Sequence, residues 1–394
     1  MQTTGSYIPG LDGIRAIAFL LVFWAHALPG VSYYIPATLG VTIFFFLSGY
    51  LITTLLRREF AATGTVALGD FYLRRALRIF IPLYVVYALS AAFAHFALHE
   101  SMGNWKGFFA LLFYYYNYTL VLDLKAWVPL GMNVIWSLSV EEHFYLLFPL
   151  VYLALVRSRI ARATQTRLLV GFCLLELLWR FILIAILHNH HLWTYYATDA
   201  RLDSILWGSV LALTNNPIFA ARTCHPDPEL AEGEGPASPA WITTNSDRSI
   251  VPSRHQTLAF FAAVLVLVAS LFPRSIVYKE SMRYTLQALA LYVIFSFIIP
   301  NIGHWSVRWL EWKPLRYLGW ISYVLYLSHD FILNVLTRRW AGHFAFTGPL
   351  AFVISLAFAT LLRYTLELPL QRLRARLRPA GLPTLESQQT SQIL

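Results

Sequence analysis

Arg15 and His26 lie eleven positions apart in the first apolar stretch, residues 14–28. At 100° per residue that spacing is about three turns plus ~20°, with a rise of roughly 16 Å, so both side chains share one helix face. Ionisable groups in a segment that otherwise reads AIAFLLVFWA are costly unless they meet a polar cavity or a partner. The plain structural reading makes Arg15 an end-anchor and His26 a residue of the far interface. Four further stretches tip the balance towards chemistry.

Trp136 to Tyr145 reads WSLSVEEHFY and sets Glu141, Glu142 and His143 about seven residues inside an apolar run. Two adjacent carboxylates in a low-dielectric site do not both stay ionised without cations nearby. Arg15 or Arg201 could supply one, or a carboxylate could orient His26 as a base. Glu141 and Tyr145 are i, i+4 neighbours, and Ser139 and Glu142 are i, i+3 neighbours. The stretch FYLRRALRIF carries Arg75 and Arg78 three apart, with Arg74 beside them. Arginine binds phosphate in a bidentate, charge-assisted way, so this cluster suits a nucleotide or diphosphate, or else topology and lipid headgroups. In GVTIFFFLSGYLIT, Gly40 and Gly49 allow close helix approach, and Ser48 donates to a ligand or to its own helix. In YLGWISYVLYLSHD, His329 has Tyr326 at i−3 and Asp330 next to it; it is a core histidine unless it shares a cavity with His26. Arg201 and Asp203 open a further segment, and Glu367 of ELP is expected to pair with a local arginine.

The elements that position these groups are membrane spans. Only 13% of the 394 residues are charged, 58% are hydrophobic and 16% aromatic, with mean hydropathy +0.56. Soluble domains have about 25% charged residues, so the solvent here is lipid. The net charge of +10 is spread in short clusters between apolar runs, as in cytoplasmic loops, and does not form a nucleic-acid patch. Apolar segments fall at 14–28, 39–56, 79–98 (with Pro82 in its first turn), 134–156, 168–187, 195–213, 257–272, 284–299, 315–336 and 349–366. Residues 108–122 are apolar but shorter than the ~20 needed to span, and read as re-entrant or interfacial. The fold expected is therefore all-α, polytopic, with about ten transmembrane helices and both termini cytoplasmic. Arg338 and Arg339 are the one basic cluster that this count leaves outside. Residues 215–256 read as a polar cytoplasmic loop, 1–370 as one membrane domain and 371–394 as a basic cytoplasmic tail. The first segment lacks a cleavable-signal pattern and is expected to stay in the membrane. His188 to His191 are expected on the outer side. Cys173 and Cys224 are too few for a disulfide framework or thiolate metal site, and no phosphate loop, His-Glu-x-x-His or hydrolase elbow occurs.

In order, LDGIRAIAFLLVFWAH, FFFLSGYLIT, RRALR, WSLSVEEHFYLLFP, RLDSILWGSVLA, LGWISYVLYLSH and ELP resemble the acyltransferase-3 family of integral-membrane O-acyltransferases, over roughly residues 8 to 370. The resemblance implies an acyl-CoA donor, acetyl-CoA above all, bound from the cytoplasm, and a carbohydrate or glycolipid acceptor hydroxyl met near the outer side. It implies a catalytic histidine at His26 with Arg15 important to the same site, and makes Arg75 and Arg78 the family's Arg-x-x-Arg pair. His143 departs from an expected Gln, and Ser328 from a common Trp. The fused extracytoplasmic hydrolase-like domain of some members is not expected here.

The reading is a membrane O-acyltransferase of the cell envelope, in the inner or plasma membrane. His26, Glu142 and Glu141 are its catalytic candidates. Arg15, Ser48, Arg75, Arg78, Trp136, Ser139, Tyr145, Arg201, Asp203, Tyr326 and His329 are its substrate-binding candidates, with no bound metal or cofactor. His26 acts either as general base on the acceptor, helped by an oriented carboxylate, or as the acyl carrier itself. A cation, Trp136 or Ser139 would stabilise the oxyanion. The alternatives are a proton-coupled exporter of a glycoside or lipid, in which buried carboxylates and histidines form a relay, and a structural partner of an envelope assembly.

Overall fold

The computed structural model describes residues 8–28, 30, 34, 36–186, 191–220 and 252–376. Regular structure among them is helical, with no strand. In chain order the helices are α1 (Pro9–Ala27), α2 (Ala37–Thr63), α3 (Leu68–Leu98), α4 (Trp105–Leu112), α5 (Tyr116–Val121), α6 (Ile135–Arg157), α7 (Arg162–Phe181), α8 (His191–Tyr196), α9 (Leu202–Thr214), α10 (Pro217–Ala220), α11 (Arg254–Ala269), α12 (Arg283–Ile298), α13 (Lys313–Trp320), α14 (Ser322–Arg339), α15 (Phe344–Leu362) and α16 (Leu368–Arg376). Short π-helical turns, residues 182–186, 278–282 and 363–367, adjoin α7, α12 and α15.

Seven stretches among the described residues are long and apolar enough to cross a membrane: 10–27, 37–63, 68–98, 135–157, 162–186, 278–298 and 344–372. The chain is thus built as a multi-pass membrane protein. Three of the ten expected segments differ. Segment 195–213 is broken into α8, a 3₁₀ turn and a 13-residue α9, a rise of about 20 Å against a hydrocarbon core of ~30 Å. Helix α11 has 16 residues and starts with a Ser253–Gln256 capping box. Segment 315–336 breaks at Ile321 into α13 and α14, and α14 carries Ser328, His329, Asp330 and Asn334 on its way to two terminal arginines.

Pro82 lies well inside α3, not in its first turn. Hydropathy locates the lipid-facing part of a helix, whereas Leu, Arg and Ala of the preceding FYLRRALR continue it backwards because they are good helix formers. The stretch 108–122 forms two short helices, α4 and α5, divided at Tyr114. Arg338 closes on Glu100, just past the end of α3, which gives that cluster a local carboxylate. Residues 188–190, 221–251, with Cys224 among them, and the tail beyond 376 lie outside the described residues.

The core is organised around α1 and α2. Helix α2 packs along α9 and α1, and α1 also packs on α13 and α14. Small residues set these approaches: a Cβ at Gly40 would lie 2.3 Å from the Ala18 carbonyl oxygen, and one at Gly319 would lie 1.8 Å from that of Asp12. The close approach expected at Gly40 and Gly49 is what the structure shows.

Candidate active site

The two histidines meet. His26, in the last turn of α1, places Nδ1 3.0 Å from Nε2 of His329 on α14, with the rings within 1° of one plane. His329 Nδ1 lies 2.8 Å from the Tyr326 carbonyl oxygen. A carbonyl only accepts, so His329 carries its proton on Nδ1 and presents a bare Nε2. With both rings neutral, His26 must donate from Nδ1, and its Nε2 is left unprotonated. His329 is fully buried against the rings of Phe19, Phe23 and Tyr326, while His26 keeps an exposed edge. The result is a held imidazole with a free basic nitrogen facing outwards. Tyr326 is itself fixed, its hydroxyl 2.7 Å from Ser137 Oγ on α6. Asp330 does not join this chain; it accepts from Asn334 at 3.1 Å.

A second cluster forms where α2 meets α6. Ser48 Oγ donates to Glu141 Oε1 at 2.9 Å, and the Tyr145 hydroxyl lies 2.9 Å from Ser48 Oγ and 3.1 Å from Glu141 Oε2. The guanidinium of Arg75 sits 4.1 Å over the Tyr145 ring. The next residue, Glu142, turns elsewhere: its Oε1 is buried with no hydrogen-bond partner. Glu141 spends its hydrogen bonds on Ser48 and Tyr145, and the ring nitrogen partner of His26 is His329, so neither carboxylate orients His26 directly. The physical reason is position: the last turn of α1 faces α14, whereas Glu141 sits where α6 meets α2.

At the opposite end of α1 from His26 lies an open cavity lined by Asp12, Arg15, Arg78, Trp320, Arg363 and Glu367 among others. Arg15 donates from Nε to Ser322 Oγ at 3.3 Å. Arg363 stacks 3.8 Å over the Trp320 ring and pairs with Glu367 at 2.8 Å, the local arginine expected for that carboxylate. Three arginines and two carboxylates thus meet around one opening, the mouth. Arg15 therefore belongs to this mouth, and His26 to the far end of the same helix.

Arg201 and Asp203 make different contacts. Asp203 is fully buried and accepts from Arg180 Nη2 at 2.7 Å and from Thr285 Oγ1 at 2.6 Å. Arg180 also donates to the Ser281 and Ala200 carbonyls. Asp203 is thus held by partners inside the protein. Arg201 is equally buried, but its guanidinium lies 3.8 Å over the Tyr284 ring, with Trp136 at 5.9 Å, and its Nε and Nη1 have no hydrogen-bond partner. Ser139 back-bonds to the Ile135 carbonyl at 3.4 Å and is turned to its own helix.

Several participants are absent from the sequence reading. Arg180 had a signal, a lone arginine late in an apolar run. Ser137, Ser322 and Thr285 had none, because isolated hydroxyls are common in spans. No group of three or more His, Cys, Asp or Glu suited to a metal occurs among the described residues.

With this geometry in place, comparison with known proteins gives a consistent result. Residues 8–213 match the acyltransferase-3 family, described as an acyltransferase domain. The peptidoglycan O-acetyltransferase OatA of Listeria monocytogenes is 26% identical over 341 residues, covering 84% of this chain and 50% of that protein. A putative O-acetyltransferase of Staphylococcus aureus strain COL is 27% identical over 344 residues, covering 83% of this chain and 51% of that protein. The O-acetyltransferase OatA of S. aureus strain NCTC 8325 is 27% identical over 329 residues, 82% of this chain and 50% of that protein. The chain spans about half the length of the curated relatives it matches. No solved structure matches it. The family match covers more than half the chain and carries the Arg15, His26, Ser48, Arg75, Arg78 and Glu141 positions described above, so the chain belongs to the acyltransferase-3 family.

Proposed function

We propose that the chain is a membrane O-acyltransferase that moves an acyl group, acetyl on the strength of its relatives' names, from acyl-CoA to a hydroxyl of a cell-envelope carbohydrate such as peptidoglycan. The observation that carries this reading is the free Nε2 of His26, oriented by His329 and the Tyr326 carbonyl. Such a nitrogen takes the proton of the acceptor hydroxyl as its oxygen attacks the thioester carbonyl; the C–S bond then breaks, and the imidazolium returns the proton to the departing thiolate. The same Nε2 also suits the two-step route through an acyl-histidine. The nucleotide end of the donor fits the arginine-lined mouth at the far end of α1. The roughly 16 Å rise from Arg15 to His26 is comparable with a pantetheine arm.

In this reading the chain makes ten passages of the inner or plasma membrane, α9, α11 and α14 included, with both termini and the mouth cytoplasmic and His26 towards the outer side. A proton-coupled exporter is less well supported, because Asp203 is locked to Arg180 and the arginines of the mouth would have no use.

The test is titration of acetyl-CoA against purified wild type, His26→Ala and Arg75→Ala/Arg78→Ala, following binding and slow thioester hydrolysis. The expected result is binding and turnover by wild type, binding without turnover by the His26 variant, and weak binding by the arginine variant. Absence of any acyl-CoA affinity in wild type would overturn the donor assignment.

A further inference from the structure

Tyr114 departs from ordinary protein structure in two independent ways. It adopts φ of +55°, a left-handed conformation that a bulky side chain rarely takes, at the break between α4 and α5. Its hydroxyl is also buried with no hydrogen-bond partner, although burying an unpaired hydroxyl is unfavourable. Strain and an unsatisfied polar atom at one residue mark a place held for something else. Phe80 packs 5.2 Å from the ring and helps to hold it there.

Two more orphaned atoms occur on the helices around it, α6 and α3. Glu142 Oε1 on α6 and Arg75 Nε on α3 are both buried without partners. Glu142 is within electrostatic reach of both Tyr114 and Arg75. Tyr323 connects this group to the arginine-lined mouth: it lines that cavity and is in electrostatic reach of Tyr114 and Glu142. One acceptor and two donors, buried without partners, are complementary to secondary amides, each of which has one N–H and one carbonyl.

We infer that Tyr114, Glu142 and Arg75 form a subsite for the amide-bearing arm of an acyl-pantetheine thioester, the Tyr114 hydroxyl and Arg75 Nε donating to amide carbonyls and Glu142 Oε1 accepting an amide N–H. The inference rests on the acyl-CoA reading above. It makes Tyr114 a binding residue for the donor's arm, distinct from the arginines that hold its phosphates. A free nucleotide reaches the mouth and leaves this subsite untouched.

The experiment uses Tyr114→Phe, which keeps the ring and the backbone strain and deletes only the hydroxyl. Affinities of wild type and variant are measured by calorimetry for acetyl-CoA, acetyl-pantetheine and adenosine 3′,5′-bisphosphate, together with the melting temperature. Loss of one hydrogen bond predicts about tenfold weaker acetyl-CoA and acetyl-pantetheine binding, with the bisphosphate within twofold of wild type. The melting temperature stays level or rises, since the orphaned hydroxyl is gone. Equal affinities for acetyl-CoA in the two proteins overturn the subsite while leaving the donor reading intact. Equal weakening of all three probes overturns it in favour of a general structural role. A wild type that binds none of them removes the donor reading and this subsite with it.

Discussion

Arg180 on α7 and Asp203 on α9 are joined at 2.7 Å with both side chains wholly buried. Removing one member of such a pair leaves an uncompensated charge, at a cost of roughly 3–5 kcal/mol, whereas replacing both with apolar residues is often close to neutral. Asp203→Ala and Arg180→Met should each lower the melting temperature in detergent strongly, and the double variant should recover part of the loss. A substrate-binding role for Asp203 would instead show normal melting with impaired acceptor use.

His329 should act through His26 and not on the donor. His329→Ala removes the acceptor for the Nδ1 proton of His26, so tautomer and orientation are both lost. Turnover should fall by about 10²-fold or more, with acetyl-CoA affinity within twofold of wild type. His26→Ala should abolish turnover altogether. Equal loss of donor affinity in the His329 variant would show that this histidine serves packing.

Gly49 and Gly208 cross at the contact of α2 with α9. A Cβ on Gly49 would lie 1.8 Å from the Ile205 carbonyl oxygen, and one on Gly208 would lie 1.9 Å from that of Phe46. Both obstacles are backbone, which cannot rotate away. Alanine at either position should destabilise the fold by about 1–3 kcal/mol or more. Thermal unfolding checks this, with Gly171→Ala, where an added Cβ meets nothing within 4 Å, as the neutral control.

Arg78→Ala, at the mouth, should weaken acetyl-CoA binding by ~10–100-fold, the value of one charge-assisted contact. Wild-type affinity should also fall as salt is raised, and more steeply than that of the variant. Identical salt dependence in the two proteins would place the phosphates elsewhere.

Local relations were legible in the sequence. The i, i+4 neighbours Glu141 and Tyr145, the pairing of Glu367 with an arginine four residues away, and the close approaches at Gly40 and Gly49 all follow from helix periodicity and residue size. Relations across the fold were less so. His26 and His329 are 303 positions apart, and only their shared position in the bundle reveals the bond. Tyr114 was invisible because YYYNY looks like ordinary interfacial aromatics; its significance lies in a backbone angle and an empty hydrogen bond, neither of which composition records. The break of segment 195–213 was hidden for a related reason: hydropathy does not distinguish a continuous helix from one interrupted by a buried ionic knot.

The relay behind His26 ends on the Tyr326 carbonyl, a main-chain atom. No substitution can delete that atom. A systematic alanine scan of α14 would therefore register His329 and pass over the group that fixes its tautomer. Evolution faces the same blind spot: residue 326 can change freely as far as this link is concerned, because the link is encoded in the path of the helix. Inactivating drift at this point has to come from shifts in how α14 is seated on α1, and variants that slide one helix against the other should silence the site without touching any residue in it.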